Sequence, residues 1–172
     1  MWWRSLIIAL AVLTAGCQVR PLYLDTAATG GAVSPTEDLR AIAIDQPRDR
    51  VQQVLRNELL FLFNGQGGGN TSDKYRLRIL STFSTNDLAV ELEEDLPAAV
   101  LVTLAVTFIL SERETDETLL TGTSTSTASY DFSSQRFANV RAERNALDRA
   151  ATSNAEMINA RIAAYFAARR GS

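Results

Sequence analysis

The sequence predicts an α+β fold in which two helices pack on one face of a mainly antiparallel sheet of about four strands. Two observations lead to this prediction. Segments with a two-residue apolar alternation fill the middle of the chain, and segments with three- and four-residue apolar spacing lie before and after most of them. The resulting order is β-α-β-β-β-α, with residues 39–168 as a single sandwich domain and residues 169–172 as a short tail.

The first sixteen residues read as a signal peptide, because a short cationic start is followed by an apolar run that ends in small residues. The run is roughly half of the ~20 residues needed to span a bilayer. The chain's single cysteine follows directly, and the order Leu13-Thr14-Ala15-Gly16-Cys17 resembles a lipobox. We therefore expect acyl chains on Cys17 and a mature chain that begins there. A plain secretory peptide or a small transmembrane anchor with an incidental cysteine is the alternative.

Residues 17–38 show no apolar periodicity, which is typical of a flexible tether between a lipid anchor and a folded domain. Leu22 and Tyr23 are the only residues in this segment with large apolar surface to bury, and they could pack by adding to the edge of a neighbouring sheet. Gln18, rather than Asp, follows the cysteine, and in the lipoprotein-sorting pattern this indicates the outer membrane. We expect a lipid-anchored protein that faces the periplasm.

The folded domain begins with a short strand, residues 39–45, whose β-branched residues alternate. A helix is predicted from Pro47, in its first turn, to Phe63. Its apolar stripe comprises Val51, Val54, Leu55, Leu59, Leu62 and Phe63. The glycine-rich loop at residues 66–70 ends it.

Three further stretches alternate with the period of a strand. Residues 74–83 place Tyr75, Leu77, Ile79 and Phe83 on one face, and residues 88–93 alternate similarly. After Pro97, residues 98–112 form a long strand with large apolar groups on one face.

Residues 118–130 are β-prone but almost free of large apolar groups. Threonines occupy one face, and Gly122, Ser124, Ser126 and Ala128 occupy the other. Two interpretations stay open: a plain edge strand, or a strand whose flat face of small residues packs closely against something, such as another protein.

The last segment, residues 134–168, has a strong helical period and would be the longest element. Ser133 or Ser134 is suited to cap its start. The predicted apolar stripe comprises Phe137, Val140, Leu147, Ala151, Ala155, Ile158, Ile162 and Tyr165 or Phe166.

The composition excludes several chemistries. The chain has 172 residues, no histidine and one cysteine, so it has no internal disulfide, no Cys/His zinc site and no histidine catalysis. The acidic run at residues 91–95 offers paired carboxylates, but an acidic hairpin tip explains it better. Residues 67–69 lack the Lys-Ser/Thr of a phosphate-binding loop. We expect no metal and no cofactor, and only an enzyme that uses carboxylate, Lys or Ser/Thr side chains remains possible on this evidence.

Basic residues suggest two anion sites. Lys74, Arg76 and Arg78 form a row on one strand face, because alternate strand residues lie about 7 Å apart. Such a row would grip phosphates, or would simply be the solvated side of a half-covered sheet. Residues 134–172 contain seven arginines against three acidic residues, although the whole chain has a net charge of −3. Nucleic acid is not expected, because the chain is acidic overall and no aromatic residues interleave with the basic ones.

The residues that remain distinctive are Cys17 with the Gln-Val-Arg-Pro-Leu-Tyr after it, and Tyr130-Asp131 leading to the segment Gln135–Arg144. Together with the element order, they resemble the LPS-assembly lipoprotein family of the LptE type over nearly the whole mature chain. The segment Gln135–Arg144 is the most specific part of the likeness.

The resemblance implies a non-enzymatic plug inside the large outer-membrane β-barrel that inserts lipopolysaccharide into the outer leaflet. It also implies lipopolysaccharide binding through basic residues near one end of the fold, and Arg136 and Arg141 lie in roughly the matching region. Lys74, Arg76 and Arg78 are the other candidates. An auxiliary lipoprotein of another envelope lipid-transport complex of the ABC type is the alternative, and a lipid-anchored hydrolase is a third.

Overall fold

A computed structural model of the chain describes residues 35–65, 72–91 and 96–171. The elements in that part of the chain are helix α1 (Pro35–Arg40), strand β1 (Ile42–Ile44), helix α2 (Arg50–Asn64), strands β2 (Tyr75–Glu91), β3 (Leu96–Glu112) and β4 (Thr118–Asp131), and helix α3 (Arg136–Gly171). The predicted signal peptide, Cys17 and most of the predicted tether lie outside the described residues.

The four strands form one sheet in the order β1-β2-β3-β4. β1 runs parallel to β2, with Ile42 opposite Tyr75, and the other neighbours are antiparallel. The sheet is therefore mixed, and the prediction of an α+β fold with a mainly antiparallel sheet is confirmed.

The start of the domain differs from the predicted strand at residues 39–45. Residues 35–40 form α1, and only Ile42–Ile44 pair as a strand. Glu37 and Asp38 lie in the first turn of α1, where carboxylates favour the positive end of the helix dipole. Leu39 is 2% exposed, so this short helix covers one end of the core.

Helix α2 begins three residues later than predicted, so Pro47 lies before the helix and not in its first turn. Asp49 is the N-cap, and its Oδ1 accepts a hydrogen bond from the Gln52 backbone N–H at 2.8 Å. Gly65 ends the helix with a φ of 60°, a conformation that glycine adopts without strain. The predicted stripe is confirmed, because Leu55, Leu59 and Phe63 are buried and its other members are partly buried against the core.

Helices α2 and α3 cover one face of the sheet, which we call the inner face. Strand β3 contributes six alternating residues that are almost or fully buried there, and α3 packs small residues against them. At one end of this core, the rings of Tyr75 and Phe166 lie 5.0 Å apart. The β3 residues are Val100, Val102, Leu104, Val106, Phe108 and Leu110.

The two alternating stretches at residues 74–83 and 88–93 belong to one 17-residue strand, β2. Its side chains from Thr82 to Leu88 are all exposed, because α2 does not extend that far along the sheet. Helix α3 extends past the core in the same direction, and its side chains from Arg136 to Asn145 are exposed or half-buried. We call these two segments the overhang, and the helix-covered remainder the packed body.

The predicted apolar stripe of α3 is wrong at its N-terminal end. Phe137 is 86% exposed and Val140 is 42% exposed, whereas burial begins at Ala146 and Leu147. The helix has 36 residues against 15 in α2, so its first turns have no neighbouring helix to pack against within the described chain.

Candidate functional site

The outer face of the sheet, opposite the helices, carries mostly small and hydroxylated side chains, with Leu80, Leu101 and Ile109 among them, and the described part of the chain leaves all of these exposed or half-buried. The register aligns them in rows across β2, β3 and β4, such as Thr82–Ala105–Thr125 and Ser84–Thr103–Thr127. The hydroxyl oxygens of Thr107 and Thr123 lie 3.4 Å apart in a neighbouring row. The result is a surface of mostly short side chains with many hydroxyl donors and acceptors.

Strand β4 combines the two interpretations that its sequence left open. It is an edge strand, and its face of small residues packs against the chain's own helix α3 and strand β3. Ser126 Oγ donates to the Ala150 carbonyl at 2.7 Å, and a Cβ on Gly122 would lie 2.7 Å from Phe108 Cζ. Small residues at these positions therefore allow helix, ring and strand to approach each other closely.

The predicted basic row on β2 is partly neutralised. Arg76 Nε lies 2.7 Å from Asp45 Oδ1, and Arg78 Nε lies 3.7 Å from Asp45 Oδ2. The hydrogen bond to Asp45 raises the pKa of the Arg76 guanidinium. Lys74 precedes the strand, and its Nζ lies 5.1 Å from the centroid of the Tyr75 ring. The three cations therefore have local partners, and Arg76 and Arg78 share one carboxylate.

Shallow cavities surround this row. One of about 500 Å³ is lined by Asp45, Arg76, Arg113 and Asp116 among others, and a second of about 360 Å³ is lined by Arg48, Arg78 and Leu80 among others. The mixture of arginine and aspartate side chains in these walls makes them weakly cationic at most. An anion that enters must compete with Asp45 for the same guanidinium groups.

The other predicted basic residues, Arg136 and Arg141, lie in the first turns of α3 within the overhang. Both are exposed, as is Arg144, and no salt bridge between described residues includes any of the three. They flank the exposed side chains of Phe137 and Val140. The overhang therefore presents cationic and apolar groups together.

Tyr130 lies between this part of α3 and the hairpin of β2 and β3. Burial raises the pKa of its hydroxyl, and the nearby carboxylates of Glu143 and Asp87 raise that pKa further.

Two sequence-predicted features remain outside the described residues. Cys17 is one of them. The other is the acidic run, of which residues 92–95 connect β2 to β3. For these the expectations of lipidation and of an acidic hairpin tip stay predictions.

Sequence reasoning missed several residues that shape these surfaces. Asp45 follows β1 and reaches Arg76 only because β1 runs parallel to β2, which the residue pattern does not reveal. Asn154 is fully buried in α3, and its Nδ2 donates to the Leu104 carbonyl at 3.1 Å and to Ser126 Oγ at 2.7 Å. Asn154 could have been found from the sequence, because it is a polar residue within an otherwise apolar helical stripe.

The described residues offer no obvious metal site, since no three of their His, Cys, Asp or Glu side chains come together. None of the helices in residues 35–65 and 96–171 combines the length and apolar character required to cross a membrane.

Comparison with solved structures finds the same fold in other proteins. A Caulobacter crescentus CB15 protein described as a lipoprotein superimposes with a TM-score of 0.61 at 20% identity, over 80% of this chain and 98% of the other. The rare lipoprotein B from Shewanella oneidensis gives a TM-score of 0.53 at 14% identity, over 72% and 92% of the two chains. At these identities the likeness shows the fold alone, which this chain shares with two proteins described as lipoproteins.

The particular family follows from the sequence of the domain. The family model described as LptE, lipopolysaccharide-assembly, matches residues 39–162. The chain therefore belongs to the LptE lipopolysaccharide-assembly family, and the resemblance stated from its residues is confirmed. No curated protein matches the chain.

Proposed function

We propose that the protein is an outer-membrane lipoprotein that binds, helps to assemble and plugs the large β-barrel that inserts lipopolysaccharide into the outer leaflet. The observation that carries this proposal is the family match, which extends from the end of α1 into the second half of α3. The protein acts by occupying and contacting its partner, without catalysis. Cys17, as the lipidated residue, holds the domain at the periplasmic side of the outer membrane.

The outer face of the sheet supports a role inside a polar lumen. A barrel wide enough to hold a domain has a polar interior, so its occupant requires donors and acceptors and not an apolar patch. Threonine and serine hydroxyls provide both on short side chains that lose little entropy when they are fixed. The flat rows across β3 and β4 therefore suit contact with the lumen wall.

Lipopolysaccharide binding is the second part of the proposal, and the overhang is the stronger of the two candidate sites. Phosphorylated glycolipids combine anionic and apolar groups, and Arg136, Arg141 and Arg144 lie beside exposed Phe137 and Val140. The β2 row is the weaker candidate, because Asp45 already pairs with Arg76 and Arg78.

Co-purification tests the assembly role. The full chain with a C-terminal tag is isolated from detergent-solubilised envelopes. A Cys17→Ala variant, whose domain we expect to fold as in the wild type, is the matched control. We expect the wild type to bring down a large β-barrel protein in a near-stoichiometric amount and the variant to bring down less. A protein that purifies alone at full yield contradicts the proposal. Recovery of an inner-membrane ATPase complex instead supports the ABC-type alternative.

Charge reversal tests the lipopolysaccharide site. The overhang variant combines Arg136→Glu and Arg141→Glu, and the β2 variant combines Lys74→Glu, Arg76→Glu and Arg78→Glu. Binding of purified lipopolysaccharide is measured for both variants and for the wild type. We expect the overhang variant to lose most of the binding, because its guanidinium groups have no carboxylate partners among the described residues. Equal binding by both variants and the wild type would exclude both clusters.

A further inference from the structure

Strands β4 and β2 differ in how their backbone groups that face away from β3 are covered. On β4, Arg149 Nη2 donates to the Ser129 carbonyl at 2.7 Å, and Arg161 Nη1 donates to the Thr123 carbonyl at 2.5 Å. Both arginines come from α3, and both bind carbonyls that point away from β3. Occupied edge carbonyls hinder the pairing of another strand, which is a common protection of β-sheet edges.

On β2, the corresponding backbone groups are covered only at the start of the strand. The Tyr75 N–H donates to the Ala41 carbonyl, and the Leu77 carbonyl accepts from the Asp45 N–H, both at 3.0 Å. The same side of a strand is presented by every second residue, so the uncovered side continues through Ile79, Ser81, Phe83, Thr85 and Asp87. In residues 35–65, 72–91 and 96–171, no strand lies beside these five.

The uncovered side, which we call the β2 edge, is long enough to bind a strand. Nine residues from Ile79 to Asp87 extend for about 30 Å, given ~3.3 Å per residue. Register is regular along this stretch, and the shifts lie beyond it, between Asp87 and Ala89 and between Ala89 and Val90. The β2 edge therefore continues in line with β1 after the chain turns away at Gln46.

The surroundings of the β2 edge indicate what kind of strand would fit. At its start, Arg48, Arg78 and Asp45 are among the residues that line the cavity of about 360 Å³, and Asp45 pairs with Arg78. In its middle, the Phe83 side chain is 53% exposed. At its end lies the exposed carboxylate of Asp87. A complementary strand has a carboxylate or polar side chain near Arg48, a large apolar side chain over Phe83 and a cation near Asp87.

We propose that the β2 edge receives an extended segment of the partner β-barrel protein by strand addition. The inference rests on the proposed function, because that function supplies the partner. The segment is a loop or terminus and not a wall strand, since the strands of a closed barrel use their backbone groups on each other. Main-chain hydrogen bonds hold such a guest, and the pockets beside alternate side chains select it.

A single substitution removes one of the backbone donors involved. Thr85→Pro deletes an N–H that faces away from β3, so the ladder with β3 keeps its hydrogen bonds. Co-purified barrel is expected to fall about tenfold, as one lost hydrogen bond and the clash of the proline ring weaken the pairing. Gly65→Ala is the matched control, because it places a side chain at a φ of 60° at the far end of α2 and lowers stability without touching the β2 edge.

Photo-crosslinking keeps the test decisive if Thr85→Pro fails to fold. A benzophenone side chain replaces Thr85 in one sample and Gln53, which is exposed on α2, in another. An adduct with the barrel from position 85, much stronger than from position 53, supports the proposal. Adducts with a second copy of this chain, or with its own residues 17–34, overturn it.

The two proposals fail in different ways. If the wild type brings down no barrel, the proposed function fails. If the wild type brings down the barrel while Thr85→Pro does so equally well and position 85 gives no barrel adduct, only the strand addition is overturned.

Discussion

The packed body and the overhang share strand β2 and helix α3, yet aromatic residues that the apolar patterns place on the inner side differ in exposure between the two regions. Phe166, in the last turns of α3, is 1% exposed against Tyr75, whereas Phe137, in the first turn, is 86% exposed. Phe63 and Phe83 show the same contrast, at 1% and 53%. A place in an apolar period is therefore not sufficient for burial, because a second helix must also reach the residue.

The contrast suggests a division of roles. The packed body provides the free energy of folding, and the overhang holds exposed apolar and cationic groups in place. Exposed aromatic groups on a rigid support are a common feature of binding surfaces. Comparison of matched substitutions in the two regions tests this division.

The largest difference is expected between Phe166→Ala and Phe137→Ala. Removal of the buried ring leaves a cavity and should cost about 3–5 kcal/mol of unfolding free energy. Removal of the exposed ring should change that free energy by less than about 0.5 kcal/mol. Urea unfolding followed by circular dichroism measures both, and similar losses for the two variants would remove the distinction between body and overhang.

The next effect is expected at the close contact between β3 and β4. Gly122→Ala places a methyl group 2.7 Å from Phe108 Cζ, and such overpacking typically costs about 1–3 kcal/mol. Thr123→Ala, one residue on and exposed on the outer face, is the matched control and should cost much less. If Gly122→Ala unfolds at the same urea concentration as the wild type, the ring has room to move and the packing argument is wrong.

Removal of a helix cap should change the free energy of unfolding by a smaller amount, and by different amounts in the two regions. Asp49→Ala removes the N-cap of α2 in the packed body, at a cost of about 1 kcal/mol. Ser133→Ala removes the hydroxyl that accepts the Gln135 N–H at the start of α3, and it should lower global stability less. Amide hydrogen exchange should instead show faster opening confined to the first turns of α3. Slowed or unchanged exchange there would indicate that the overhang is as cooperative as the body.

The smallest effect is expected for the ion pair that joins the two helices. Arg50 Nη2 and Asp148 Oδ2 lie 2.8 Å apart, with side-chain exposures of 65% and 31%. Asp148→Asn should therefore cost about 0.2–1 kcal/mol in low salt, and the difference should shrink as the ionic strength rises. A loss that persists in 1 M salt would point to hydrogen bonding and not to charge.

The sequence predicts most of the packed body, because burial there follows periodicity. Leu55, Leu59 and Ile158 are buried as their spacing indicates. It does not predict α1, since six residues are too few to show a helical period. Nor does it predict that Phe137 and Val140 are exposed, because that depends on where α2 begins in space.

For the candidate surfaces too, the sequence predicts some properties and not others. Arg136 and Arg141 are exposed cations, as a basic helix start suggests. The sequence alone predicts a row of cations without a nearby carboxylate at Lys74, Arg76 and Arg78. In the structure, the parallel pairing of β1 with β2 places Asp45 beside this row. Side-chain patterns show which residues share a face of an element, but not which residues of other elements meet that face.

Depletion of the protein in its own cells tests the central claim most directly. The amount of folded β-barrel in the outer membrane is measured by its heat-dependent migration in gels, and lipopolysaccharide at the cell surface is measured in the same cells. We predict that depletion removes the folded barrel and lowers surface lipopolysaccharide, and that the wild-type chain restores both. Unchanged levels of folded barrel and of surface lipopolysaccharide after complete depletion would contradict the proposed function.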